Sequence, residues 1–382
     1  VVNGWGGKRG KYRDLIATSM MQFQGRQTVR NMLVMTVLLV GAYFASFFTP
    51  MLLTSSELST GDRPIDYLYH YRSDQTMVTR QEVEQLAADH GVELTTWSQV
   101  SAATLGCDGI EEVETEGPFG TTYTEEYHGL LHGASFLSES AFRELTGIEV
   151  DLAPGTGANI LDDQASTPWR SAGDVTHITN MVTGQEMDIQ PVEPVRYTQL
   201  LGCFLLDDGD YTAITQGLTP EWREEFVAFQ VADLEASYPF ADALFNEIVD
   251  RSGPEVALFD GWDPVVRDRY LAEKGYYFLD PAHLEPNGFS PIEYDQRDSS
   301  NFRNSWKYMP RFRVLDQADF TTTMAVFLML FVFVSIVCFA AMVVILFTRC
   351  MTIAMTNARV YDDLRHLGAS NAFLRRTVKG QI

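Results

Sequence analysis

The sequence predicts an α-helical membrane protein with two transmembrane helices and a large mixed α/β extracytoplasmic domain between them. Three observations carry this expectation: two long uncharged apolar stretches, a basic flank at each end, and a strongly acidic middle. Asn31 to Leu53 is 23 residues without a charge, and Phe320 to Thr348 is 29. A bilayer core about 30 Å thick is crossed by roughly 20 apolar helical residues, so each stretch is long enough. The competing reading, a buried core helix, fits poorly with runs such as MLVMTVLLVGAYFASFF and MAVFLMLFVFVSIVCFAAMVVILF. A cleaved signal peptide fits the first stretch poorly as well, because no small-residue cleavage site follows it.

The flanks set the expected orientation. Residues 1–30 carry Lys8, Arg9, Lys11, Arg13, Arg26 and Arg30 against Asp14 alone. Residues 349–382 carry Arg349, Arg359, Arg365, Arg375, Arg376 and Lys379 against Asp362 and Asp363. Of the chain's 28 basic and 51 acidic residues, 16 and 48 therefore remain in 54–319, a net charge of −32. Basic flanks stay in the cytoplasm, which predicts a multi-pass protein of the plasma membrane with both visible termini inside. The expected organisation is a basic amphipathic segment over 1–30, spans over 31–53 and 320–348, an outer domain over 54–319, and a cytoplasmic amphipathic elbow over 349–382. The acidity of the outer domain would attract cationic peptides, but keeping an exported domain soluble explains it more simply.

The outer domain reads as mixed α and β. Tyr67 to Tyr71 predicts a strand. Thr79-x-x-Glu82 has capping-box spacing and opens a helix with Val83, Leu86 and Ala87 on one face, ended by Gly91. Val92 to Trp97 is the next strand. The same order recurs later, with a strand over Phe226–Val231, a helix over Phe240–Val249, a break at Gly253 and a strand over Glu255–Phe259 leading to Trp262. This repetition suggests two related halves, about 64–150 and 195–310. Between them, Glu111–Glu116 and Thr121–Leu130 flank Gly117-Pro118-Phe119-Gly120, a hairpin signal. Ser138 caps a helix over Ser140–Thr146 closed by Gly147. Residues 151–194 read as loops, with one weak hairpin at Thr183-Gly184.

Candidate chemistry is sparse. No Walker phosphate loop and no nucleophile elbow is present, so ATP hydrolysis is expected elsewhere and no enzyme activity or cofactor is expected here. His128 and His132 could share a metal on a helix, but YHGLLH reads as a strand. Asp207, Asp208 and Asp210 lack the alternating calcium-loop pattern and read as a solvated turn. Cys107 and Cys203 lie in the outer domain, where a disulfide is permitted; two free buried thiols are the alternative.

The C-terminal flank is more informative. Val360, Leu364 and Leu367 form an apolar stripe, Gly368 breaks it, and Ser370 can cap a new helix whose apolar face holds Phe373, Leu374 and Val378. This predicts a bent amphipathic elbow that docks either on the inner leaflet or in a groove of a cytosolic partner. The arrangement of spans around an outer domain, followed by Tyr361, Leu364, Arg365, Leu367, Gly368, Ala369 and Ser370, resembles the FtsX-like permeases of ABC transporters, of the MacB and BceB type. The resemblance covers the spans and inner flanks, roughly a quarter of the chain. The outer domain resembles that of large Firmicutes-type members only in outline.

The resemblance implies that the elbow, with Phe373 and Leu374, couples to a cytosolic ABC ATPase. ATP-driven motion would then pass to the outer domain by mechanotransmission, acting on a peptide, lipid-linked or envelope substrate. It also implies further permease spans or a second permease copy, contact with membrane lipid, and no nucleic-acid partner. Because the family module continues beyond its elbow, a chain running from Val1 to Ile382 reads as one segment of a longer permease. A non-transporting receptor that regulates an envelope hydrolase is the main alternative function. An anchored adhesin-like module would leave the elbow without a role.

Overall fold

The computed structural model describes residues 32–48, 51, 63–117, 120–161, 175–372 and 374–375. The basic N-terminal segment, Pro118 and Phe119 of the hairpin turn, and Phe373 and Val378 of the elbow lie outside the described residues. The chain divides into two compact units, Thr60–Asp319 and the flanking segments Val1–Ser59 with Phe320–Ile382.

In chain order the helices are α1 (Met32–Phe48), α2 (Arg80–Asp89), α3 (Glu139–Thr146), α4 (Asp208–Ile214), α5 (Tyr238–Arg251), α6 (Pro264–Lys274), α7 (Ser300–Ser305) and α8 (Arg313–His366). The longer strands are β1 (Tyr67–Arg72), β2 (Leu94–Gly117), β3 (Gly120–Ser138) and β4 (Thr156–Leu161). Four short strands follow, β5 (His177–Thr179), β6 (Glu186–Asp188), β7 (Gln190–Pro191) and β8 (Val195–Arg196). The last are β9 (Cys203–Leu206), β10 (Arg223–Val231) and β11 (Arg311–Phe312). They form one mixed sheet in the order β11-β1-β10-β2-β3-β9-β4-β7, with β5, β6 and β8 off this path.

Period-two alternation assigns the faces. Tyr67 and Tyr69 of β1 join Val227 and Phe229 of β10 in a core covered by Val83 and Ala87 of α2 and by Phe240, Leu244 and Ile248 of α5. Leu68, Phe226 and Ala228 point the other way, into a second core with Phe142 and Leu145 of α3. Local signals hold these helices in place. Thr79 and Glu82 close a reciprocal capping box on α2, and Ser138 caps α3, which ends on left-handed Gly147.

The expectation of a helical membrane protein with two spans is overturned. The bulk of the protein is a large mixed sheet, and among the described residues one helix, over Arg313–Thr352 within α8, is long and apolar enough to cross a membrane. Among the described residues the first apolar stretch yields α1, over Met32–Phe48. At 1.5 Å per residue α1 is about 25 Å long, short of the ~30 Å a crossing needs.

Three local expectations also change. Glu255–Phe259 is not a strand: Pro254 opens a short 3-10 turn through Val256, and Phe259 makes only an isolated bridge to Trp306. Residues 151–194 contain more than loops, since β4 carries a buried GANIL run beside β9. The weak hairpin there is real, with His177–Thr179 antiparallel to Glu186–Asp188. The two strand–helix repeats share one sheet, because β1 pairs directly with β10 and α2 and α5 cover the same core.

Candidate functional site

The residues singled out for coupling fall at the C-terminal end of α8. Tyr361, Leu364 and Arg365 lie in its last turns, and the helix stops at His366. The Gly368 N–H donates to the Arg365 carbonyl at 3.0 Å and the Ala369 N–H to the Leu364 carbonyl at 3.0 Å. These are the two bonds of a Schellman closure, which needs a left-handed residue; Gly368 supplies it with φ +94°. The chain then turns, and the Ser370 carbonyl accepts from the Leu374 N–H at 3.1 Å, beginning a new helical turn. The break at Gly368 and the restart at Ser370 thus follow from backbone chemistry that is readable in the sequence. Leu364, Ala369 and Leu374 are half-buried, whereas Leu367 is 84% exposed. Arg365 and Ser370 are exposed beside it. The elbow therefore gathers Leu364–Ser370 into one turn and presents a leucine outward.

The outer-domain candidates resolve differently. Cys107 and Cys203 are both buried and free, so no disulfide joins them. Burial pushes the Cys107 thiol well up and the Cys203 thiol to about 12, which keeps both protonated and inert. His128 and His132 lie on β3, and among the described residues no group of three ligands could hold a metal. The Asp207–Asp210 run is a helix start rather than a free turn. Asp207 accepts from the N–H groups of Gly209 and Asp210, Asp208 from Ser140, and Asp210 from Gly155.

One charged cluster was missed. Glu224 of β10 is 4% exposed, with His70 Nδ1 at 3.2 Å and Lys307 Nζ at 3.9 Å. A carboxylate only accepts, so His70 must carry its proton on Nδ1. The imidazole stacks on Phe226 at 4.9 Å, and Lys307 also donates to the Trp262 carbonyl at 3.3 Å. Burial drives the Glu224 carboxyl upward, but the His70 hydrogen bond, the charges of His70 and Lys307 and the Ser135 hydroxyl outweigh it and hold it at about 2. Serine, histidine and glutamate are the residue types of a charge relay. Here Ser135 bonds the carboxylate rather than the imidazole, so this arrangement places no base on the hydroxyl. The cluster ties the 307–308 segment to the sheet. Alternation in REEFVAFQV could have revealed it, since Glu224 shares the buried face of Phe226 and Ala228.

Comparison with protein-family models and with curated protein sequences finds no match.

Proposed function

We propose that this chain is a membrane permease subunit of an ABC transporter, or part of one, anchored by α8. It couples a cytosolic ATPase to its acidic outer domain by mechanotransmission, acting on a peptide, lipid-linked or envelope substrate. The observation that carries the reading is α8 itself. None of its most apolar window is buried, which separates it from the core helix of a soluble domain, and it ends in a glycine-closed elbow with Leu367 outward. An apolar helix this exposed is stable only against lipid or a partner. The basic residues after Arg349 favour a cytoplasmic elbow, and the acidic domain before α8 then lies outside.

The test is co-purification of the ATPase with the full-length subunit. If Leu367 inserts in a groove of the ATPase, Leu367→Asp buries a new carboxylate at a cost of several kcal/mol and abolishes the complex. Neutralising Arg375, Arg376 and Lys379 should weaken it only slightly. The reverse pattern would replace the groove with a charge-held contact, and no ATPase bound to any variant or to the parent would sink the permease reading.

A further inference from the structure

The two ends of the folded domain carry the same four-residue pattern. Arg63-Pro64-Ile65-Asp66 leads into β1, and Arg313-Val314-Leu315-Asp316 opens α8. The patterns pair crosswise. The Arg63 guanidinium meets the Asp316 carboxylate, and Arg313 Nη1 lies 3.1 Å from Asp66 Oδ1. Positions three apart on a helix share a face, which is why Arg313 and Asp316 both reach the leading segment. Backbone contacts reinforce the pairing: the Arg313 N–H donates to the Asp66 carbonyl at 2.8 Å, and Arg313 Nη1 to the Arg63 carbonyl at 3.0 Å. Next to them β1 pairs with β11, Tyr67 opposite Phe312 and Leu68 opposite Arg311.

Each end is also fixed to the body of the domain. The Ile65 N–H and carbonyl both bond the Gln199 side chain at 2.9 Å, and Asp66 Oδ2 accepts from the Val231 N–H at 3.3 Å. Phe312, Val314 and Leu315 are buried in the main core, with Phe312 against Tyr67 at 4.9 Å between ring centroids. Arg303 pairs with Asp319 one residue before the apolar run begins at Phe320.

We propose that the crossed Arg-x-x-Asp pairs form a clasp that makes the two ends of the domain one mechanical element. A displacement applied at either end is then shared by both before it reaches the rest of the sheet. The clasp lies wholly within Thr60–Asp319 and does not depend on the proposed function.

Hydrogen exchange followed by mass spectrometry on the full chain in detergent micelles tests it. In Arg63→Asp, exchange over 65–68 and over 311–316 should rise together, tenfold or more, with β4 and β9 unchanged. The double variant Arg63→Asp/Asp316→Arg restores the pair with reversed charges and should return both segments to within twofold of the parent. Loosening of one end alone, no change at either end, or a double variant that fails to recover would overturn the clasp. Should the single variant unfold outright, the double variant still decides: it must fold and protect both ends.

Discussion

In the folded domain the largest side chains are the innermost. Trp306, Phe229 and Phe240 are almost wholly enclosed, and Phe229 stacks on Tyr67 at 4.6 Å and on Trp97 at 5.4 Å. In the helical unit the order is inverted. Ala42 and Ala45 of α1 are 0% and 2% exposed, while Phe44 next to them and Phe333 of α8 are 54% and 64% exposed. Small residues let two helix backbones approach closely where burial of large apolar groups gives no advantage. Water rewards the first arrangement and penalises the second, which fits the lipid contact proposed for α8.

The sharpest way to break this contrast is to truncate one aromatic in each unit. Phe229→Ala should cost about 3–5 kcal/mol by leaving a cavity between Tyr67 and Trp97. Phe333→Ala should leave the domain's unfolding midpoint within about 0.5 kcal/mol. Denaturant titration followed by tryptophan fluorescence reports mainly the domain, since five of the six tryptophans belong to it and Trp5 alone does not. Equal losses would mean that Phe333 is part of a shared core.

The domain also buries charge, which the helical unit does not do in its apolar runs. Glu224→Gln removes the group facing His70 and Lys307 and should destabilise the domain by about 3 kcal/mol at neutral pH. The pH dependence follows from the sign of the shift. Glu224 is held at about 2 against an ordinary 4.5, so its contribution is complete above about pH 4.5 and fades as pH falls toward 2. Unfolding curves of the parent should steepen in acid across that window, and those of the Gln variant should run flatter. An unchanged acid slope would show that Glu224 is not the group responsible.

What the sequence disclosed and what it hid divide along the same line. Elements fixed by local chemistry were legible: the Thr79–Glu82 box, the Ser138 cap, the Gly117–Gly120 hairpin and the Gly368 break. Elements fixed by distant partners were not. β4 is a short GANIL run in a Gly- and Asp-rich stretch, and it becomes a strand because β9 lies beside it. β9 in turn pairs parallel to β3 across 64 residues of intervening chain, a register that no local pattern specifies. The first span was overread because uncharged length was counted in place of helical length: the described helix there covers Met32–Phe48. The C-terminal elbow was legible down to its glycine, and the Glu224 cluster left a weaker trace, the alternation that puts Glu224 on the face of Phe226 and Ala228.

A smaller effect probes local chemistry alone. Thr79→Ala removes the cap of α2, leaving the Glu82 N–H without its side-chain acceptor and Glu82 without the Thr79 hydroxyl. The expected loss is about 1 kcal/mol, read as a lower denaturation midpoint with an unchanged denaturant slope. A loss as large as that of Phe229→Ala would mean that α2 is held mainly by its cap and not by Val83 and Ala87 in the core.

The last prediction expects no change in stability and bears directly on the inverted packing of the helical unit. Gly41 of α1 faces α8: a Cβ built there would lie 3.8 Å from Cys338 Sγ, an ordinary contact. Ser46 Oγ lies 3.4 Å from Ser335 Oγ, and the Phe48 ring is 6.2 Å from that of Phe331, so the two helices meet along about two turns. Gly41→Ala should therefore be accepted without displacement. Gly41→Cys brings a second thiol within bonding reach of Cys338, and mild oxidation should cross-link α1 to α8, visible as a mobility shift that reductant reverses. Tyr43→Cys is the control, because Tyr43 is 73% exposed and points away from this face. Cross-linking at position 43 as efficient as at 41, or none at 41, would show that small residues do not bring these helices together, and the contrast with the aromatic core of the domain would lose its physical basis.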